Sequence, residues 1–247
     1  MPRPRKKHIQ QAFEFRHHGG KREGAGRPRT SSRPRLPHAE RDEINPRHPL
    51  HVTSRVVEGL GSLRKRDMYR AIRAATIAVF RFAAIREVDC RIIHASVQAN
   101  HLHLLVEAAS RDALTAGMRV FLSSAAKHIN RAIWRRTGER RRGGVFADRY
   151  HDRALTTPRE VRNCIAYVLN NWRRHGEDRR RNTNIDPFST GIWFPGWKER
   201  EHAPSLYKPP PTYEALMMWL PKTWLLREGW KKHPLISVRD VPGPLPR

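Results

Sequence analysis

Hydrophobic and polar residues follow no regular period over residues 1–47, and the pattern begins at residue 48. Residues 51–57, HVTSRVV, are rich in β-branched side chains with partial alternation and predict a strand, followed by a turn at Gly59 and Gly61. From Ser62, a helix-capping residue type, Met68, Ile72, Ala75, Thr76 and Val79 recur at helical spacing, which predicts a helix ending near Phe82. Residues 88–98, VDCRIIHASVQ, and 101–107, HLHLLVE, read as two further strands with only Ala99 and Asn100 between them, hence a hairpin. A long helix is expected over 113–135, with Leu114, Met118, Phe121, Leu122, Ala125, Ile129, Ala132 and Ile133 on one face and Arg119, Lys127, Arg131 and Arg135 outside. A fourth strand is expected around 149–155. Thr157, Pro158 and Glu160 then give a capping box with proline at the first helical position, opening a helix through Val161, Ile165, Val168 and Leu169 to His175. The order β-α-β-β-α-β plus one helix predicts an α+β domain: a ferredoxin-like split βαβ arrangement whose antiparallel sheet carries helices on one face.

Composition divides the chain into three parts: a basic arm at 1–47, the patterned domain at 48–175, and a basic extension rich in tryptophan and proline at 176–247. The arm's segment GGKREGAGRPR has too few apolar residues to offset its own ordering entropy and is suited to lying along phosphates or to remaining a solvated tail. In the extension, Trp193, Trp197, Trp219, Trp224 and Trp230 either stack on unpaired bases or hold irregular chain against the domain, and the large area a tryptophan buries favours the second.

Charge narrows the partner. Lysine and arginine number 49 against 23 acidic residues over 247 positions, a formal net charge of +26. The pI is about 11.4 and the mean hydropathy −0.75. Such self-repulsion calls for a polyanion, nucleic acid before an anionic membrane surface, and excludes an ordinary acidic enzyme. Only Cys90 and Cys164 occur, without a CxxC pair, so neither a disulfide framework nor a cysteine zinc site is expected, and the reducing cytoplasm suits the chain. No apolar run approaches the length of a membrane span, and no signal segment is recognisable at the start.

Two residue pairs carry candidate chemistry. His101 and His103 stand at i and i+2 on a strand, so both imidazoles project from one face and can reach one ion while Leu102 points inward. Tyr167 and Asn171, four apart on the last helix, share one helical face, where a phenol can attack phosphorus and a carboxamide oxygen can face a cation. Separately, each pair is equally the mark of a polar strand position, a core tyrosine or a helix-capping asparagine. His51, His94 and His151 point either toward such a site or toward solvent. Glu107 shares the face of His103 but lies about 13 Å along the strand, too far to share its ion. Arg55, Arg149 and Arg153 are candidate phosphate contacts, as are Arg119, Lys127 and Arg131 on the outer face of the long helix.

Taken together, HVTSR at 51–55, NHLHLLVE at 100–107, VFADRYHDRAL at 145–155 and YVLNN at 167–171 resemble the HUH endonucleases, in particular the REP-associated single-tyrosine transposases. The resemblance spans about residues 48–175 and implies an enzyme that cuts and rejoins single-stranded DNA at hairpin-containing sites. It implies Tyr167 as nucleophile, His101 and His103 as the metal-binding histidines, Asn171 as the third ligand, and Mg²⁺ or Mn²⁺ as the ion. Imidazoles alone suit zinc or copper equally, so the donor residues do not choose the metal. It also implies a bacterial, DNA-associated setting and a possible homodimer. The chain departs from the family pattern after the tyrosine helix, where NNWRRHG replaces an asparagine-proline continuation.

Two other functions compete. The same fold can bind single-stranded nucleic acid without cutting it, although the RNP1-type aromatic run of RNA-binding sheets is absent from HLHLLVE. A helix-turn-helix repressor finds no suitable helix pair.

Overall fold

The computed structural model describes residues 41–178, 183–201 and 212–243. Most of the basic arm lies outside the described residues. The domain runs β1 (Leu50–Arg55), α1 (Arg66–Arg86), β2 (Cys90–Val97), β3 (His101–Ala108), α2 (Arg111–Thr137), β4 (His151–Ala154) and α3 (Pro158–Arg174). The four strands form one antiparallel sheet in the order β2-β3-β1-β4, the split βαβ topology expected from the pattern.

Alternation assigns the two faces of the sheet. Leu50 and Val52 of β1 and Leu102, Leu104 and Val106 of β3 enter a core with Met68, Ile72 and Val79 of α1 and Leu114, Met118 and Phe121 of α2. Burying each such side chain contributes about 1.5–3 kcal/mol. The opposite face is also covered. Ile93 and Leu105 pack beneath Val161, Ile165, Val168 and Leu169 of α3, together with Trp197, Leu225 and Trp230 of the extension. Helices α1 and α2 thus cover one face as expected, and α3 with the extension closes the other. A register shift between Ile92 and His94 turns Ile93 into this second core.

Helix boundaries follow local chemistry. Thr157 and Glu160 form the expected reciprocal cap of α3, and Ser110 and Gly138 bracket α2. Helix α1 starts three residues later than a Ser62 cap suggests, with Lys65 at the cap position. Ser62 instead accepts from the backbone N–H of Arg64, and Leu63 donates its N–H to Ala99, so Leu63 and Arg64 form a turn ahead of the helix. From this turn the Arg64 guanidinium forms a two-pronged pair with Asp186, at 2.9 and 2.7 Å. Asp186 is fully buried and Arg64 nearly so.

The extension behaves mainly as a staple. The Val97 N–H donates to Phe188 and the Trp219 N–H to Ile92, which covers the open edge of β2. Trp197 and Trp230 are buried with their indole N–H groups bonded to backbone carbonyls, whereas Trp193 and Trp224 are exposed. Gly196 permits this packing, since a Cβ there would meet the Trp230 ring at 2.2 Å. Residues 41–47, grouped with the arm by composition, also join the domain: Arg41 pairs with Asp152, and Arg111 donates to the carbonyl of Asp42. Cys90 and Cys164 are buried and free, and no helix among the described residues is long and apolar enough to cross a membrane.

The Arg64–Asp186 pair generates a stability prediction. Asp186→Ala leaves a buried guanidinium with only the partly exposed Glu177, 3.7 Å from its Nε, as counter-ion and should cost about 3–5 kcal/mol in urea unfolding. Pairing it with Arg64→Met should recover much of that loss. A single variant within about 0.5 kcal/mol of the parent, the range of ordinary surface changes, would contradict the assignment.

Candidate active site

The α3-facing side of the sheet changes character along β3. Leu105 is apolar and belongs to the second core, while His103 and His101 continue the same side as imidazoles. In the antiparallel register His103 lies opposite Thr53 and His101 opposite Arg55, so β1 contributes His51, Thr53 and Arg55 to this polar strip. His51 Nε2 and His103 Nδ1 share a hydrogen bond at 3.0 Å, and Thr53 Oγ1 lies 3.3 Å from that same Nδ1. The two rings stack with centroids 5.1 Å apart. Asn100 Oδ1 and His101 Nδ1 are paired at 2.7 Å.

Helix α3 lays Tyr167, Asn171 and the capping residue His175, spaced four apart, along this strip. The Tyr167 ring stands edge-on to His103, centroids 5.1 Å apart, and 5.9 Å from His51. His175 stands edge-on to His101 at 5.5 Å. Tyr167 is half-buried, His103 is 4% exposed and Asn171 is 0% exposed. Two groups in this closed space have no hydrogen-bond partner: Nε2 of His103, and both the oxygen and the nitrogen of the Asn171 carboxamide. A buried polar group left unpaired costs about 1–3 kcal/mol, and such groups mark places where something other than folding has set the residue.

Burial fixes the protonation states. Burial, then the neighbouring charges of His175 and Arg55, lowers His101 to about 4. Burial, with His151 and Arg153 behind it, lowers His51 to about 4. His103 falls well below the ordinary imidazole value, through burial first and then His51, His101 and His175. The imidazoles are therefore neutral at pH 7 and keep their lone pairs. Tyr167 is raised by burial, with Arg174 pulling the other way, so its phenol holds its proton near neutrality.

Of the residues expected to do chemistry, His101, His103 and Tyr167 stand in ring contact within one chain, and Asn171 lies one helical turn from Tyr167 on α3. His101, His103 and Asn171 supply two imidazole nitrogens and a carboxamide oxygen, all neutral, which would leave the full charge of a divalent ion for an anionic substrate. Among the described residues no three His, Cys, Asp or Glu side chains gather to hold a metal, so such an ion here depends on the carboxamide. Arg55 is exposed beside His101. Arg153 lies opposite His51 in the register and is ion-paired with Glu160. Arg149 is exposed ahead of β4, its backbone N–H donating to Asp148. Arg119, Lys127 and Arg131 are exposed on α2, on the other side of the sheet from the histidines.

The remaining candidates separate cleanly. His94 is buried against Thr190 and Phe194 of the extension, and His151 is exposed on β4. Glu107, at the far end of β3, is buried and accepts from the backbone N–H groups of Lys222 and Thr223 while pairing with Arg91. Sequence reasoning left His51 undecided and passed over His175. For His175 the signal was its spacing of four from Asn171. For His51 the signal was the strand register, which becomes available only once β1 is known to pair with β3.

The sequence matches no family model and no curated protein. Among solved structures, the chain is similar to a REP-associated tyrosine transposase bound to a REP hairpin, at 18% identity, covering 76% of this chain and 100% of that one, with a TM-score of 0.44.

Two predictions follow from the buried groups. The folded-state values of His51, His94 and His101 lie near 4 against 6.5 for an ordinary imidazole. Below that ordinary value the unfolded chain takes up protons that the native chain refuses, so the histidine contribution is intact above pH 6.5 and is lost as the pH falls toward 4. Thermal melts from pH 7.5 to 4.5 should show a steadily falling midpoint, and a flat profile would contradict neutral burial. Asn171→Leu removes two unpaired polar atoms in a similar volume and should stabilise the fold by about 1–3 kcal/mol in urea unfolding. Destabilisation of that size would mean the carboxamide serves folding.

Proposed function

We propose that this chain cuts and rejoins single-stranded DNA, with hairpin-containing DNA as its substrate, through a covalent link to Tyr167, as its resemblance to single-tyrosine HUH transposases implies. One observation carries the reading. A half-buried phenol on the middle of α3 stands against His103, one helical turn from a buried asparagine whose carboxamide serves no structural bond.

In the step proposed, the Tyr167 oxygen attacks the scissile phosphorus, an oxygen–phosphorus bond forms, and the bond to the 3′ oxygen breaks. The phenol gives up its proton, the 3′ oxygen takes one up, and the products are a 5′-phosphotyrosine and a free 3′ hydroxyl. The linkage conserves the phosphodiester, so a second 3′ hydroxyl reverses the step without a nucleotide cofactor. Because burial keeps the phenol protonated, the site needs help in activating it or the phosphate. Mg²⁺ or Mn²⁺ held by His101, His103 and Asn171 would supply that help as a Lewis acid on a non-bridging phosphate oxygen. The residues around them have separate tasks. His51 occupies Nδ1 of His103 and leaves its Nε2 without a hydrogen-bond partner, an arrangement typical of imidazoles that ligate through the other nitrogen. Arg55, exposed beside His101, is placed to meet a backbone phosphate. Tyrosine and histidines belong to one chain, so the chemistry requires no second copy.

The test uses labelled hairpin-bearing single-stranded oligonucleotides with Mn²⁺ or with EDTA. A denaturation-resistant adduct is expected only with metal. Tyr167→Phe should abolish it and leave DNA affinity within about tenfold, since one neutral hydrogen bond contributes about 0.5–1.5 kcal/mol. Adduct formation by Tyr167→Phe would show the nucleophile to be another residue. Tight binding with no adduct under any metal would assign the chain to strand binding alone.

A further inference from the structure

At the far end of β3 from the histidines, the sheet, the start of α3 and the extension border an open cavity of about 650 Å³. This is within the size range of small-ligand sites. One wall is Trp224, the first residue of the short helix α4 (Trp224–Arg227), 52% exposed although its neighbours Leu225 and Leu226 are buried. Its ring is packed on its inner side. Gly229 packs so closely against it that a Cβ there would approach the ring to 2.8 Å, and the Lys232 ammonium sits 5.0 Å from the ring centroid. The Glu107 carboxylate clamps the adjoining backbone by accepting from the N–H groups of Lys222 and Thr223, and Thr223 caps α4. The backbone that carries the aromatic wall is therefore tied to the sheet.

Charge around the cavity favours an anion. Arg47, Arg91 and Lys222 line it against Asp89 and Glu107. The two acids are engaged by Arg91 and Lys222, leaving the exposed Arg47 as the surplus cation at the rim. A planar aromatic wall and an uncommitted guanidinium match a flat ring joined to a phosphate. The cavity also lies on the same side of the sheet as Tyr167. Glu107 is four residues from His103 along β3 and Pro158 nine from Tyr167 along α3, each roughly 13 Å.

We infer that this cavity holds an unpaired nucleotide of the same DNA strand that Tyr167 attacks, its base stacked on Trp224 and its phosphate on Arg47. The inference rests on the DNA reading above and extends it to a second subsite that fixes which part of a strand lies at the tyrosine.

The experiment uses the full chain carrying Tyr167→Phe, to measure binding without cleavage, with fluorescent single-stranded oligonucleotides of increasing length and with dTMP. Trp224→Ala should weaken binding of the longer oligonucleotides by about 5- to 150-fold, the loss of one base–aromatic stack, whereas Trp224→Phe should retain most of it. Oligonucleotides too short to span both sites should lose less. Arg47→Ala should weaken binding and lower the slope of log affinity against log salt by about 1. Unfolding curves check that Trp224→Ala is folded; Arg47→Ala, an exposed change, gives the second reading. Unchanged affinity and salt slope in both variants, with the parent still binding DNA, would overturn the subsite alone. Tight dTMP binding that depends on Trp224 while long oligonucleotides ignore it would overturn the strand assignment in favour of a free nucleotide. Absence of DNA binding by the Tyr167→Phe parent would overturn the DNA reading and this subsite with it.

Discussion

A single helix laid on one face of a sheet governs the candidate site. The half of that face formed by Ile93 and Leu105 is apolar and meets Val161, Ile165, Val168 and Leu169 of α3, and the burial of those side chains fixes where the helix lies. The other half is polar and has no choice of neighbours. Once the apolar half is seated, Tyr167 and Asn171 are brought over His101 and His103, whether or not every polar atom finds a partner. The unpaired carboxamide of Asn171 and Nε2 of His103 are the cost of that arrangement, held in place by the hydrophobic contacts beside them.

The same packing sets the electrostatics of the site. Four imidazoles, from His51, His101, His103 and His175, stand within ring-contact distances of one another or of the tyrosine. Burial and mutual repulsion both disfavour the charged forms of His51, His101 and His103, which leaves lone pairs available in a nitrogen-rich pocket of a chain of formal charge +26. Positive charge is carried around the pocket by arginines, while the lone pairs inside it remain available. A second cationic surface, on α2, faces the other way across the sheet and is separate from this chemistry.

The extension gives the domain its second layer. Three anchors tie it down: the Arg64–Asp186 pair, the Glu107 carboxylate under Lys222 and Thr223, and the indoles of Trp197 and Trp230. Each places a polar or aromatic group where regular secondary structure is scarce, so that a segment with little helix or strand still buries its backbone bonds. Asp186 and Glu107 are acids in a strongly basic chain, and both are spent on holding the extension in place.

Periodicity alone determined the element order, the split βαβ topology and the two cores' helical stripes, because alternation and helical spacing record which side of each element is buried. It also placed His101 with His103 and Tyr167 with Asn171, since residues two apart on a strand or four apart on a helix share a face whatever surrounds them. It did not fix which face of the sheet α3 would cover, because an amphipathic stripe names a buried side without naming its partner. Only the tertiary structure joined the two pairs, enlisted His51 through the β1–β3 register and His175 through the end of α3, and assigned Glu107 to the extension. Those outcomes depend on contacts between residues far apart in the chain, and a local pattern carries no information about distance in space.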